Sequence, residues 1–315
     1  MLSFSYTISL QLRGLLGRCD ELRANILTLP ISSKTETKLQ WETVAIRTWA
    51  TFALAQQEIP KHQIATILAN PTHPSAHLQK IFAHAQSYRF IHNEWRANPN
   101  PITLSTLETL FYLLHGQTER ARQMFTFAEP SLDELLAYLT AQEEHPIIQS
   151  ALVHIHLLTI PELADDHGLF ARLASYLFLA KYGYDIRGYI PLERSWYDAS
   201  PTYNHLTTEY ASRPNLTIWL AFITESYIAT LEHLLGDLTN NRFHIQFPRS
   251  FWEMSQRQKE ILKLLENPET MITNRKVQKQ FRVSQITASR DLTKLVTLGI
   301  LYPHGKGRSV YYTKI

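Results

Sequence analysis

Two stretches of the sequence hold side chains whose types and spacing can do chemistry. The first runs Glu162, Asp165, Asp166, His167, Gly168 and Arg172, which places carboxylates, an imidazole and a guanidinium around one glycine. Glu162, Asp165 and Asp166 could form an acid cluster for Mg²⁺ and a nucleotide, and His167 with Asp165 and Asp166 part of a metal site, although a solvated loop is the commoner use of such residues. The second is the C-terminal tail, where Arg290, Lys294, Lys306 and Arg308 lie among Ser284, Gln285, Ile286, Thr287 and Thr293. Hydroxyl, amide, methyl and cationic groups together are what base edges and phosphates require. His154 and His156 add two metal-type ligands, but two residues along a helix is about 200° around it, so they cannot chelate together. Both read as core or helix-face histidines.

The charge distribution separates the two stretches. The chain has 315 residues and a net charge of +3, yet from Phe251 onward 12 Lys and Arg face five acids, a net of +7. Before Phe251 there remain 19 basic and 23 acidic residues, a net of −4. A basic module following an acidic one suggests a polyanion-binding domain joined to something else. At 44% hydrophobic and 19% charged the chain is not disordered, and the lone Cys19 cannot form an internal disulfide. Polar residues interrupt the first apolar run, and Glu225, Glu232 and His233 break the most apolar later one, so neither a signal peptide nor a bilayer span is expected. A cytoplasmic protein with no membrane contact fits best.

Apolar residues before about position 251 recur at helical spacing, which predicts an all-α body with helices over 10–28, 37–57, 61–68, 76–97, 104–115, 131–142, 145–158, 168–182, 201–212 and 216–238. Residues 236–248 read as the junction to the tail. There, Ser255-Gln256-Arg257-Gln258 is a capping box, followed by a buried stripe of Ile261, Leu262, Leu264 and Leu265. Thr273 caps a second helix ending near Phe281, and Ser284 caps a third that Gly299 stops. Two short strands around Leu301 and Tyr311 flank His304-Gly305-Lys306-Gly307-Arg308, a wing with a cationic tip. On the third helix Ala288, Leu292, Leu295 and Gly299 form the inner stripe, and Ile286, Arg290 and Thr293, flanked by Thr287 and Lys294, form the outer arc. The run from Val283 through Val296, with Gly-Ile-Leu and Gly-Lys-Gly-Arg-Ser after it, resembles the helix and wing of many bacterial transcriptional regulators. The resemblance implies double-stranded DNA as partner.

The body resembles the Fic (Fic/Doc) family of nucleotidyl transferases, whose loop reads Ile-His-Pro-Phe-x-Asp/Glu-Gly-Asn-Gly-Arg-x-x-Arg. Here Ile160-Pro161-Glu162-Leu163-Ala164-Asp165-Asp166-His167-Gly168-Leu169-Phe170-Ala171-Arg172 falls on it without a gap. His145-Pro146-Ile147-Ile148, Ala151 and His154 resemble the helix before the loop, and 173–184 the helix after it. The resemblance implies 1–100 as associated N-terminal helices, 101–240 as the Fic-like core and 250–315 as the winged helix, a mainly α chain with a small α+β domain.

By the same resemblance Pro161 stands at the family's general base, Leu169 at its phosphate-clamping arginine, and Asp166 and His167 where its phosphate nest has Gly and Asn. Asp165 stands at the metal-binding acid, and Gly168 and Arg172 match. Losing a base costs on the order of 10²–10⁴-fold. Losing preorganised charge stabilisation costs about 10²–10³-fold more. The resemblance thus implies a pseudo-enzyme without catalytic residues, metal or cofactor. Its alternative is an AMP transferase with a divergent site in which Asp165 holds Mg²⁺ and ATP. Plausible alignments put Ala50-Thr51 or Gln56-Gln57 where the family's inhibitory helix ends in Glu-Gly/Asn, so no restraining glutamate is expected. Residues 116–131 are too short, and lack the alternation, for the family's target-docking hairpin. Arg172 is expected to pair with a buried acid, and the body to mediate a homodimer or a protein contact.

Overall fold

The computed structural model describes residues 2–69, 76–142, 144–210, 215–240, 242, 247, 249–267, 270–305 and 310–314. The chain divides into two compact units, Met1–Gln246 and Phe247–Ile315. Both sequence segments expected for the body, 1–100 and 101–240, lie in the first.

The first unit is built of helices α1 (Leu10–Leu27), α2 (Ser33–Leu54), α3 (Lys61–Ala69), α4 (Ala76–Glu94), α5 (Leu104–His115), α6 (Glu119–Ala141), α7 (Pro146–Thr159), α8 (Leu169–Lys181), α9 (Leu192–Asp198), α10 (Ser200–Glu209) and α11 (Thr217–Asn240). Side-chain oxygens start several of them: Ser9 accepts from Leu12 N, Ser32 from Thr35 N and Thr118 from Ala121 N, each satisfying a donor that has no partner within the helix. Helix α8 is buried on every side from Leu169 to Ala180, so it is the axis of the unit. It packs closest on α7, where Ser150 Oγ lies 2.8 Å from Ser175 Oγ, because two small residues let the backbones approach. On the other side of α7, the Trp219 indole donates to the Ala151 carbonyl at 2.9 Å and fixes α11.

Two helices of this unit depart from the expected set: α9 has no counterpart in it, and α6 starts earlier than its counterpart. The periodicity predicts a start at Ser131, but α6 begins at Glu119 and carries Pro130 inside it. Proline has no N–H and normally marks a helix boundary, which hides the continuity of the two halves in the sequence. The stretch 116–131 is therefore mostly helix, with no hairpin.

The second unit holds α12 (Arg249–Trp252), α13 (Gln256–Leu264), β1 (Ile272–Thr273), α14 (Asn274–Phe281), α15 (Gln285–Thr297), β2 (Leu301–His304) and β3 (Tyr311–Lys314). Its core is Ile261, Leu265, Ile272, Val277, Ala288, Leu292, Leu295 and Leu301. The Ser255–Gln258 capping box is present in both directions, and Thr273 and Ser284 cap the next two helices. The wing pairs Leu301 with Lys314 and His304 with Tyr311, antiparallel. A third strand, β1, joins β3 with Ile272 opposite Tyr312. Two residues are too few to show alternation, so β1 has no sequence signal.

Candidate nucleic-acid interface and the loop of the helical body

The recognition-type helix α15 is set by its cap and by one buried carboxylate. Ser284 Oγ accepts from Thr287 N at 3.2 Å, and the two hydroxyls lie 2.9 Å apart, so both are engaged in starting the helix. The preceding turn reverses through Arg282, which holds a left-handed φ of 51°. Ala288, Leu292 and Leu295 face the core, and Asp291, 4% exposed, joins them. Its carboxylate accepts from Arg257 Nε and from Gln258 Nε2 at 2.9 Å, which ties α15 to α13. The sequence reading missed this acid, whose signal is its place one residue before Leu292 on the inner stripe. Gly299 does not extend that stripe: the helix ends at Thr297, and Gly299 is exposed at φ 68° as the stop.

The opposite face is open. Gln285, Ile286, Arg290 and Thr293 are exposed, Ile286 at 65% although it is a large apolar residue. Ser289 is exposed beside Arg290, and Arg275, Lys276 and Lys279 are exposed on α14, four positions that the outer-arc reading left out. Lys294 is different from its expected companions. Its ammonium donates to the Phe251 carbonyl and lies 3.4 Å from the Ser250 carbonyl and 4.7 Å from the Phe251 ring centroid. Partial burial pushes its pKa down. Lys294 thus closes α12 rather than facing outward with Arg290. Lys306 and Arg308 lie outside the described residues.

In the body, Pro161–Asp166 forms a 3-10 turn between α7 and α8. Pro161 is exposed, Leu169 is fully buried as the first residue of α8, and the side chains of Asp165 and Asp166 lie outside the described residues. His167 and Gly168 follow with left-handed φ of 53° and 75°. Arg172 folds back over this bend: it donates to the His167 carbonyl at 2.7 Å, to the Thr51 carbonyl of α2 at 3.3 Å and to the Tyr203 hydroxyl at 3.4 Å. The expected acid is not among these described partners. A buried carboxylate, Glu193, instead takes both arms of Arg47 at 2.9 and 3.1 Å and the Tyr88 hydroxyl at 2.6 Å. A Cβ on Gly168 would stand 2.8 Å from Arg172 Nη1 and from Leu158 Cδ2. Gly168→Ala is therefore expected to lower the stability of the body by at least about 1–2 kcal/mol, the cost of a left-handed L-residue alone. Urea unfolding followed by circular dichroism checks it.

The two histidines of α7 diverge as their spacing predicts. His154 Nε2 lies 2.9 Å from the Tyr203 hydroxyl among Trp196 and Trp219, whereas His156 Nε2 lies 3.1 Å from Ser131 Oγ. Among the described residues no three His, Cys, Asp or Glu converge as a metal would need. His84 is buried between Phe52 and Tyr88 with neither ring nitrogen hydrogen-bonded among the described residues. Burial, reinforced by the Arg172 charge, holds His84 and His154 neutral well below the ordinary imidazole range. The unfolded chain binds protons at both from about pH 6.5 downward while the folded one does not, so acid favours unfolding by up to about 1.4 kcal/mol per pH unit for each. The urea midpoint should fall between pH 6.5 and 5.5, and His84→Phe should remove part of that fall, the rest staying with His154 and with His145 and His156, whose pKa values burial also pushes down.

A model of the DeoR-like helix-turn-helix domain matches residues 257–310. A crystal structure of a Fic family protein from Desulfovibrio desulfuricans G20 at 2.70 Å resolution is similar to 100% of this chain and 98% of its own, with a TM-score of 0.60 and 15% identity. No curated protein matches the chain. At that identity the likeness shows the fold: a Fic-like helical body carrying a DeoR-like helix-turn-helix domain. No helix among the described residues is long and apolar enough to cross a membrane.

Proposed function

We propose that the chain is a DNA-binding regulator in which the winged helix grips duplex DNA and the Fic-like body no longer transfers nucleotides. The observation that carries this reading is the outer face of α15, where Gln285, Ile286, Arg290 and Thr293 stand exposed on a helix whose other face is locked into the core. An exposed isoleucine beside an exposed arginine costs solvation on a free surface, but in a major groove it meets a thymine methyl while the guanidinium meets guanine. Arg275 and Lys276, at the start of α14, supply phosphate contacts that orient the unit. By charge alone Lys306 and Arg308 add to these.

Two positions in the body support the loss of transferase chemistry. Pro161, where the family's base would stand, offers no proton acceptor, and Leu169, where its cationic clamp would stand, is enclosed in the core. In this reading the protein works in the cytoplasm without ATP or Mg²⁺, and its body serves a second copy, a protein partner or an effector.

A gel-shift titration on duplex DNA, run beside an incubation with labelled ATP and Mg²⁺, tests it. The expected outcome is a shifted complex that is lost when Arg290 and Arg308 are both replaced by alanine, with no label on protein. Binding that ignores the double substitution rejects the groove-reading role. Label transfer abolished by Asp165→Ala would make the protein a transferase.

A further inference from the structure

A cavity of about 500 Å³ opens where the first turns of α4, the end of α5 and the start of α6 meet. Ala83, Leu113, Leu114, Ala121 and Met124 form its apolar side. Leu113 is 38% exposed there, a large apolar side chain left in water. The polar side is basic. Lys80 lines the cavity half-buried, and among the described residues its ammonium has neither a hydrogen bond nor an ion pair. Beside burial itself, the Lys80 charge helps to hold the nearby His84 imidazole neutral. Arg120 and His115 stand on the same rim and are already engaged, so the unmatched charge is that of Lys80. Among the described residues no carboxylate lines the cavity. Glu119, the first residue of α6, turns instead to Arg122 and Gln123 at 3.9 and 3.5 Å. A cleft with apolar walls and charge of one sign concentrates ions of the other sign.

We propose that this cavity binds an organic monoanion, a single carboxylate on a flexible apolar body, as a medium-chain fatty acid carries them. Lys80 takes the carboxylate. The body lies along Leu113, Leu114 and Met124 and covers the apolar surface that Leu113 shows to water. Met124 suits a flexible ligand because its own unbranched side chain adapts to irregular shapes. One unmatched ammonium answers one negative charge, which disfavours a phosphate dianion, and without a lining carboxylate the cavity offers nothing to a cationic ligand. The volume lies within the roughly 300–1,000 Å³ typical of ligand cavities. The site belongs wholly to the first unit and stands apart from the DNA-binding reading.

Calorimetric titration of the full chain with octanoate, without DNA, tests the site. Octanoate should bind saturably. Its affinity should weaken at least tenfold in Lys80→Met, which removes the charge and keeps an apolar stem. Octanamide, which has the chain without the charge, should bind the native protein at least tenfold more weakly, and acetate, the charge without the chain, should not saturate. Leu113→Asp, which places a carboxylate at the rim, should weaken octanoate at least tenfold as well. Both positions are partly exposed, and either variant decides alone should the other fail to fold. No saturable binding of octanoate, affinity untouched by Lys80→Met or Leu113→Asp, or octanamide, acetate or octyl phosphate binding as tightly as octanoate would overturn the proposal.

Discussion

Replacing Arg290 with alanine is expected to weaken binding to the preferred duplex by about 5- to 150-fold, the cost of one base-reading arginine. The size follows from where the side chain stands. Arg290 is on the exposed arc of α15, between Ile286 and Thr293, and its helix cannot roll to compensate because Asp291 is clamped by Arg257 and Gln258 on the inner face. The substitution should also relax sequence preference, so competition by random duplex becomes nearly as effective as competition by the selected site. Lys276→Ala provides the contrast: as a phosphate contact it should weaken all duplexes alike and reduce the salt dependence by about one ion. Lys294→Ala should behave as neither. Its ammonium holds the Phe251 carbonyl, so its loss should lower the unfolding midpoint of the C-terminal unit more than it changes sequence preference. Competition binding with selected and random duplexes separates the three.

The second large effect lies in the body. Arg47 and Glu193 form a bidentate pair 2% and 1% exposed, on helices α2 and α9, with the guanidinium 3.5 Å from the Tyr176 ring centroid. Glu193→Gln leaves a buried guanidinium without its counter-charge, which is expected to cost about 3–5 kcal/mol. Removing both charges together as Arg47→Met with Glu193→Leu should recover most of that loss, because the desolvation penalty of the pair disappears with it. At roughly 2–4 °C per kcal/mol for a unit of this size, the single substitution should lower the melting temperature by about 10 °C. A single variant that melts like the native chain would show that the pair contributes little to holding α2 against α9.

These two sites differ in how far the sequence discloses them. The DNA-facing unit is legible because its determinants are local: Ser255, Thr273 and Ser284 each sit directly before an amphipathic run, and each caps the helix expected of it. Helix α5 is found at its expected bounds for the same reason, Thr103 and Gly116 punctuating an apolar segment. What depends on distant pairing is not legible. Arg47 and Glu193 are 146 residues apart, and nothing in either local pattern connects them. Lys294 has the spacing of an outer-arc cation, and only the fold brings the Phe251 carbonyl to it. Arg172 invites an acid, but the bend at His167 and Gly168 turns a backbone carbonyl toward it first. In the loop, the residue types alone do not show that Leu169 enters the core while Pro161 stays exposed.

In the proposed function the exposed face of α15 lies against a charged duplex. Fluorescence anisotropy of a labelled duplex, titrated with the full chain between 50 and 200 mM salt, tests this most directly. A linear fall of log affinity with log salt is predicted, with a slope that corresponds to several phosphates and shrinks by about one when Lys276 is replaced. Affinity that is flat across that range, or equal for native chain and Arg290→Ala, would contradict it.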